Sequence, residues 1–175
     1  MYTEEFLRSS QLFRTSSTET LQKVLANCTR FHEFQADQIV LKQGDKAGFL
    51  YLILSGEVSV YRLMSFPPSS HQRLIRIGIL QTGAHFGESA IKDRFIRVSA
   101  SVIASSHTTL LAITPSEFLE FFDAPAKAVV LNPNRFISDD EIRSVMKKKL
   151  DWTTHRSRLI KKEFSKPNHF YRALL

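Results

Sequence analysis

Phe86-Gly87-Glu88-Ser89-Ala90, with Arg97 ten positions past the glycine and Val98-Ser99-Ala100-Ser101-Val102 directly behind it, decides how this chain is read. A helix start leaves backbone N–H groups unpaired and carries the positive end of the helix dipole. A glycine that admits close approach, followed by small Ser89 and Ala90, therefore makes a seat for an anion. Arg97 offers a forked cation to phosphate oxygens. A carboxylate in the same concavity is repelled by phosphate and suits a hydroxyl, which assigns Glu88 to a sugar. The tripeptide Phe-Gly-Glu alone is also ordinary punctuation between a turn and a helix, so the surroundings carry the weight.

Those surroundings read as a meander of short strands. Lys42-Gln43-Gly44-Asp45 is a turn signal, Phe49 to Leu54 a β-rich run, Ser55-Gly56-Glu57 another turn, and Val58 to Leu63 a strand with apolar residues at Val58, Val60 and Leu63. A helical segment through Leu21, Val24 and Leu25 precedes them. Thr114-Pro115-Ser116-Glu117 is a capping box with proline at the first helical position, opening a helix that carries Phe118, Phe121 and Phe122. Ser138-Asp139-Asp140-Glu141 is a second box, ahead of an amphipathic stripe at Ile142, Val145, Met146 and Leu150.

The ordered set Gly44-Asp45, Tyr51-Leu52-Ile53, Gly56, Gly83-Ala84-His85-Phe86-Gly87-Glu88 and Arg97 resembles the cyclic nucleotide-binding domain family over about residues 6 to 122. The resemblance implies a mainly β fold: an eight-stranded jelly-roll β-barrel with N-terminal helices and C-terminal lid helices. The domain then covers residues 1–130, with the phosphate-binding cassette at 83–102, and residues 131–175 form a lid helix and a basic tail. It also implies that Phe86, Gly87, Glu88, Ser89, Ala90, Arg97, Val98 and Ser99 surround the ligand. Glu88 holds the ribose 2′-hydroxyl, Arg97 holds the cyclic phosphate, and backbone amides near Ser89 and Ala90 complete the seat. The family's cGMP binders carry Thr or Ser directly after the arginine. Val98 stands in that place and cannot donate a hydrogen bond to guanine, which favours cAMP over cGMP. Trp152 and Phe136 are the candidate purine caps.

One departure falls inside the site. Counting forward from Gly87 puts the phosphate arginine at Arg97, whereas counting back from Val102 puts that position at Val98, because one residue is in excess. A slip of one residue turns a side chain to the opposite face of a strand. The excess is either absorbed in a bulge or points Arg97 away, with Arg94 in reserve. The alternative function follows from the second outcome: a fold that has lost its nucleotide and serves as an interaction or scaffold module.

Composition narrows the remaining classes. The chain has 175 residues, 43% of them hydrophobic, with 14 Phe, enough for one core. Nine basic residues against Asp151 and Glu163 lie between Lys147 and Leu175, so the excess charge of +7 sits there and fifteen of each sign remain elsewhere. A protein effector docking on that segment is the expected partner, ahead of nucleic acid, since no helix-turn-helix follows the barrel. The six histidines form no paired metal-ligand spacing, and no nucleophile-elbow motif is present. The expectation is a non-enzyme without metal or cofactor beyond the nucleotide ligand. Lone Cys28 reads as a packed small hydrophobe. With no apolar run of about 20 residues there is no integral span, and the expected location is cytoplasmic.

Overall fold

The computed structural model describes residues 2–66, 72–92, 96–132 and 138–164, with side chains at all but 150 and 162–164. Two compact units divide the chain, residues 1–136 and 137–175.

The first unit opens with helices α1 (Glu4–Ser9) and α2 (Thr18–Asn27), capped by the Thr3 and Ser17 hydroxyls. Eight strands are described after them: β1 (Phe31–Phe34), β2 (Ile39–Leu41), β3 (Leu50–Ser55), β4 (Glu57–Ser65), β5 (Gln72–Gln81), β6 (His85–Phe86), β7 (Ser101–Ala104) and β8 (Thr108–Ile113). They form two antiparallel four-stranded sheets in the orders β1-β8-β3-β6 and β2-β7-β4-β5, the mainly β jelly-roll architecture with flanking helices expected from the sequence. Helix α3 (Ser89–Lys92) interrupts the strands, and α4 (Pro115–Phe121) and α5 (Ala124–Leu131) close the unit.

The apolar run Leu50-Tyr51-Leu52-Ile53 reflects burial on both faces of β3. Leu50 and Leu52, with Leu111 and Ile113 of β8, pack against Phe13, Leu21, Val24, Phe118 and Phe122 from the helical layer. Their in-between neighbours Tyr51, Ile53, Leu110 and Ala112 turn to the space between the sheets, where they meet Val58, Val60, Phe86 and Val102. Two-residue alternation thus gives one strand pair two cores, each buried aliphatic or aromatic side chain contributing about 1.5–3 kcal/mol.

Both capping boxes form. Thr114 and Glu117 cap α4 reciprocally, and Asp123 caps α5 while also binding the Ser16 hydroxyl and the Ser17 amide at 3.0 and 2.8 Å. Cys28, at the C-cap of α2, is completely buried. Burial, with a smaller push from the Glu117 charge, raises its thiol to about 12.

In the second unit, Ser138 and Glu141 exchange hydrogen bonds at the start of α6 (Asp139–Phe164). This helix runs on through the basic stretch that the sequence stripe left out after Leu150. Neither Gly nor Pro occurs between Pro133 and Pro167, so nothing local stops it.

Candidate functional site

A cavity of about 80 Å³ opens beside the cassette, walled by Leu41, Val60, Arg62, Phe86, Gly87, Glu88, Ser89, Val98, Ser99, Ala100 and Val102. The strands explain the assembly. Tyr51 of β3 pairs with Phe86, their rings stacked at 5.2 Å, and this fixes the end of β6 from which residues 87–89 leave. Gly87 holds φ at +90°, and a Cβ there would lie 2.5 Å from the Phe49 carbonyl oxygen. Only glycine fits, on conformation and on space. The turn then closes with Ala90 N–H donating to Gly87 O at 3.0 Å.

Glu88, half-buried at the wall, stands 3.6 Å from Nε2 of His85, which is 2% exposed. His85 therefore packs under the carboxylate. Tyr51, behind Phe86, has its phenol raised by burial and stays neutral.

The opposite wall shows how the excess residue is accommodated. Val98 N–H donates to Asp45 O at 2.9 Å and Gly44 N–H donates to Val98 O at 2.9 Å, which sets the backbone of Arg97 antiparallel to that of Lys46. The chain then bends at Ser99 and Ala100 and enters β7 at Ser101. This pairing gives the inward position to Val98, which is 6% exposed. Arg97 faces the other way: it is exposed, and its Nη1 donates to the Gly44 carbonyl at 2.8 Å. The turn at Gly44, with φ at +93°, offers that carbonyl.

Of the residues expected around the ligand, Phe86, Gly87, Glu88, Ser89, Val98 and Ser99 share this wall, whereas Ala90 is buried in the core side of the turn and Arg97 lies outside it. Trp152 belongs to α6 in the second unit, 63% exposed and 6.2 Å from the His155 ring. Phe136 and Arg94 lie outside the described residues. Leu41, Val60, Arg62, Ala100 and Val102 are wall residues that the motif did not point to. The available signal was parity: Val58, Val60, Arg62 and Met64 occupy alternate positions of one strand.

Among the described residues, no group of three or more His, Cys, Asp or Glu is arranged to hold a metal, and no helix is long and apolar enough to cross a membrane.

The sequence profile of the cyclic nucleotide-binding domain matches residues 31–124, which contain all eight strands and the cavity wall. The chain belongs to the cyclic nucleotide-binding domain family. A curated relative is the cGMP-dependent protein kinase of Eimeria tenella, 31% identical over 109 residues; the match takes 62% of this chain and only 10% of that kinase. Solved structures with the same fold include the regulatory domain of Toxoplasma gondii PKA with cAMP (TM-score 0.58, 23% identity, 71% of this chain and 45% of that one). Another is the regulatory subunit of a cAMP-independent protein kinase A from Trypanosoma cruzi bound to guanosine (TM-score 0.59, 19% identity, 83% and 48%). This cyclic nucleotide-binding domain thus spans about a tenth of its kinase relative and under half of these two regulatory chains.

Proposed function

We propose that this chain is a non-catalytic sensor whose cavity binds a cyclic nucleotide, cAMP in preference to cGMP, and whose C-terminal helix passes the bound state to a protein effector. The observation that carries this reading is the convergence of Gly87, Glu88, Ser89 and Ser99 on one wall in a chain of this family. Glu88 accepts from the ribose hydroxyl, Phe86 backs the site, and Val98 offers guanine no donor. Ser99 shares the wall, so cGMP remains the second ligand. Small-molecule sites usually measure about 300–1,000 Å³, so the walls must part to admit a nucleotide.

Ligand can shift a helical lid only by binding the closed form more tightly. Residues 142–150 of α6 are the proposed lid, with Trp152 and Phe136 as purine caps, and the basic stretch beyond Lys147 is the proposed effector contact. Titration calorimetry with cAMP and cGMP tests the binding. Glu88→Ala is expected to weaken cAMP roughly tenfold or more, the worth of a hydrogen bond to a charged group. Equal binding by this variant removes Glu88 from the site. Unchanged hydrogen exchange over 142–150 at saturation refutes the lid.

A second reading is a domain that has kept the fold and lost the cyclic phosphodiester. The bond from Arg97 to the Gly44 carbonyl and the apolar Val98 in the wall favour it. On this reading the chain binds an uncharged nucleoside or serves as a scaffold. Adenosine and guanosine in the same titrations separate these outcomes.

A further inference from the structure

The alternate residues of β4 run Val58, Val60, Arg62, Met64, a single cation in an apolar file. Alternation puts the four side chains on one face. Val58 and Val60 join the core between the sheets, and Met64 is 4% exposed. Arg62 is the one charge in that row and is half-buried within it. Arg62 lines the cavity together with Gly87, Glu88, Ser89 and Val98, and its Nε is buried. It is the one cationic residue on that wall among the described residues.

We infer that Arg62, and not Arg97, neutralises the ligand's phosphate, so that the cavity selects an anionic nucleotide over a neutral nucleoside. This inference rests on the cyclic nucleotide reading above. The planar guanidinium carries five donors, enough to keep a protein acceptor and still present a fork to two phosphate oxygens. Glu88 on the same wall gives the cavity two poles, the anion toward Arg62 and the hydroxyls toward the carboxylate. The turn that captures Arg97 is itself fixed to β4 beside Arg62. Leu63 N–H donates to Gln43 Oε1 at 2.7 Å, and Gln43 Nε2 donates to Leu63 O at 3.4 Å. One loop therefore draws Arg97 away and flanks the strand that supplies the other arginine.

Titration of the whole chain with cAMP and with adenosine, in the wild type, Arg62→Gln, Arg62→Lys and Arg97→Gln, is the test. Arg62→Gln is expected to weaken cAMP roughly tenfold to a hundredfold and adenosine by no more than about twofold, as fits the loss of a charge-assisted contact to the phosphate alone. Arg62→Lys should fall between, and Arg97→Gln should match the wild type. Cyclic nucleotide binding that survives Arg62→Gln, or that is lost in Arg97→Gln, overturns the inference and leaves the cyclic nucleotide reading standing. A wild type that binds neither cAMP nor cGMP overturns both. If Arg62→Gln does not fold, the Arg62 Nε–H resonance of the wild type decides. Displacement by cAMP but not by adenosine supports the assignment, and no displacement at saturating cAMP refutes it.

Discussion

Gly87 carries two constraints at one Cα: a φ of +90° and a carbonyl 2.5 Å from where a Cβ would sit. Gly87→Ala is therefore expected to lower stability by about 1–3 kcal/mol, the cost of a non-glycine residue in a sparsely populated backbone region. Denaturant unfolding measures it, and a midpoint within error of wild type would show that the turn relaxes freely. Gly56 is confined in the same way, its Cβ position lying 2.4 Å from the His107 carbonyl oxygen. Both glycines stood out in the sequence as turn residues, but the carbonyls that confine them come from Phe49 and His107, far away along the chain. Pattern alone locates such a glycine without saying what surrounds it.

At the level of elements, the segment from Arg97 to Ser101 is a strand entry one residue too long. The bend at Ser99 and Ala100 takes up the excess while the bonds that Val98 accepts from Gly44 N–H and donates to Asp45 O hold the register upstream. Deleting Ser99 should restore the shorter spacing, move Arg97 into the inward position and tighten cAMP binding by roughly tenfold or more, the scale of a charge-assisted bond. Calorimetry on the deletion variant reads this directly, and unaltered or weaker binding by a folded variant would refute the register argument. Both counts were available in the sequence, ten forward from Gly87 or back from Val102. The choice between them depended on pairing with a turn some 53 residues earlier, which no local pattern contains.

Helix α5 supplies a pH-dependent test of its own. Burial pushes the Asp123 carboxyl up, yet hydrogen bonds from the Ser17 and Ala126 amides and the Ser16 and Thr20 hydroxyls together outweigh it and hold the group below its ordinary value. A carboxyl lowered on folding stabilises fully above its unfolded value of 3.8 and loses that contribution as pH falls toward the lower folded value. Asp123→Ala should thus cost about 1 kcal/mol near neutrality, a usual N-cap loss. Its deficit should shrink once pH drops below about 4. Thermal melts of both proteins from pH 7 to pH 3 check this, and a deficit constant with pH would show that the carboxylate charge is not involved.

Across the molecule, most of the fold was legible because local and long-range signals agree. Turn residues divide short alternating runs, two capping boxes open helices where expected, and the doubly buried strands announce themselves as continuous apolar stretches at β3 and β8. The candidate site was legible on the side built from consecutive residues, Phe86 to Ser89. It was not legible where strands distant in sequence meet, as at Leu41, Val60, Arg62 and Val102. Charge is equally uneven: fifteen residues of each sign lie outside 147–175 and the net +7 lies within it. That makes contacts through this segment sensitive to salt, since exposed charges are screened over about 8 Å at physiological ionic strength.

Cys28, the chain's single cysteine, is sealed in the helical core with its thiol pushed up to about 12. Alkylating reagents attack the thiolate, so modification must wait for the helical layer to come apart. The sulfur is thus a native stopwatch for opening events, readable by mass spectrometry without any engineered label. Modification as fast as that of a free thiol would mean that this layer opens continually in solution.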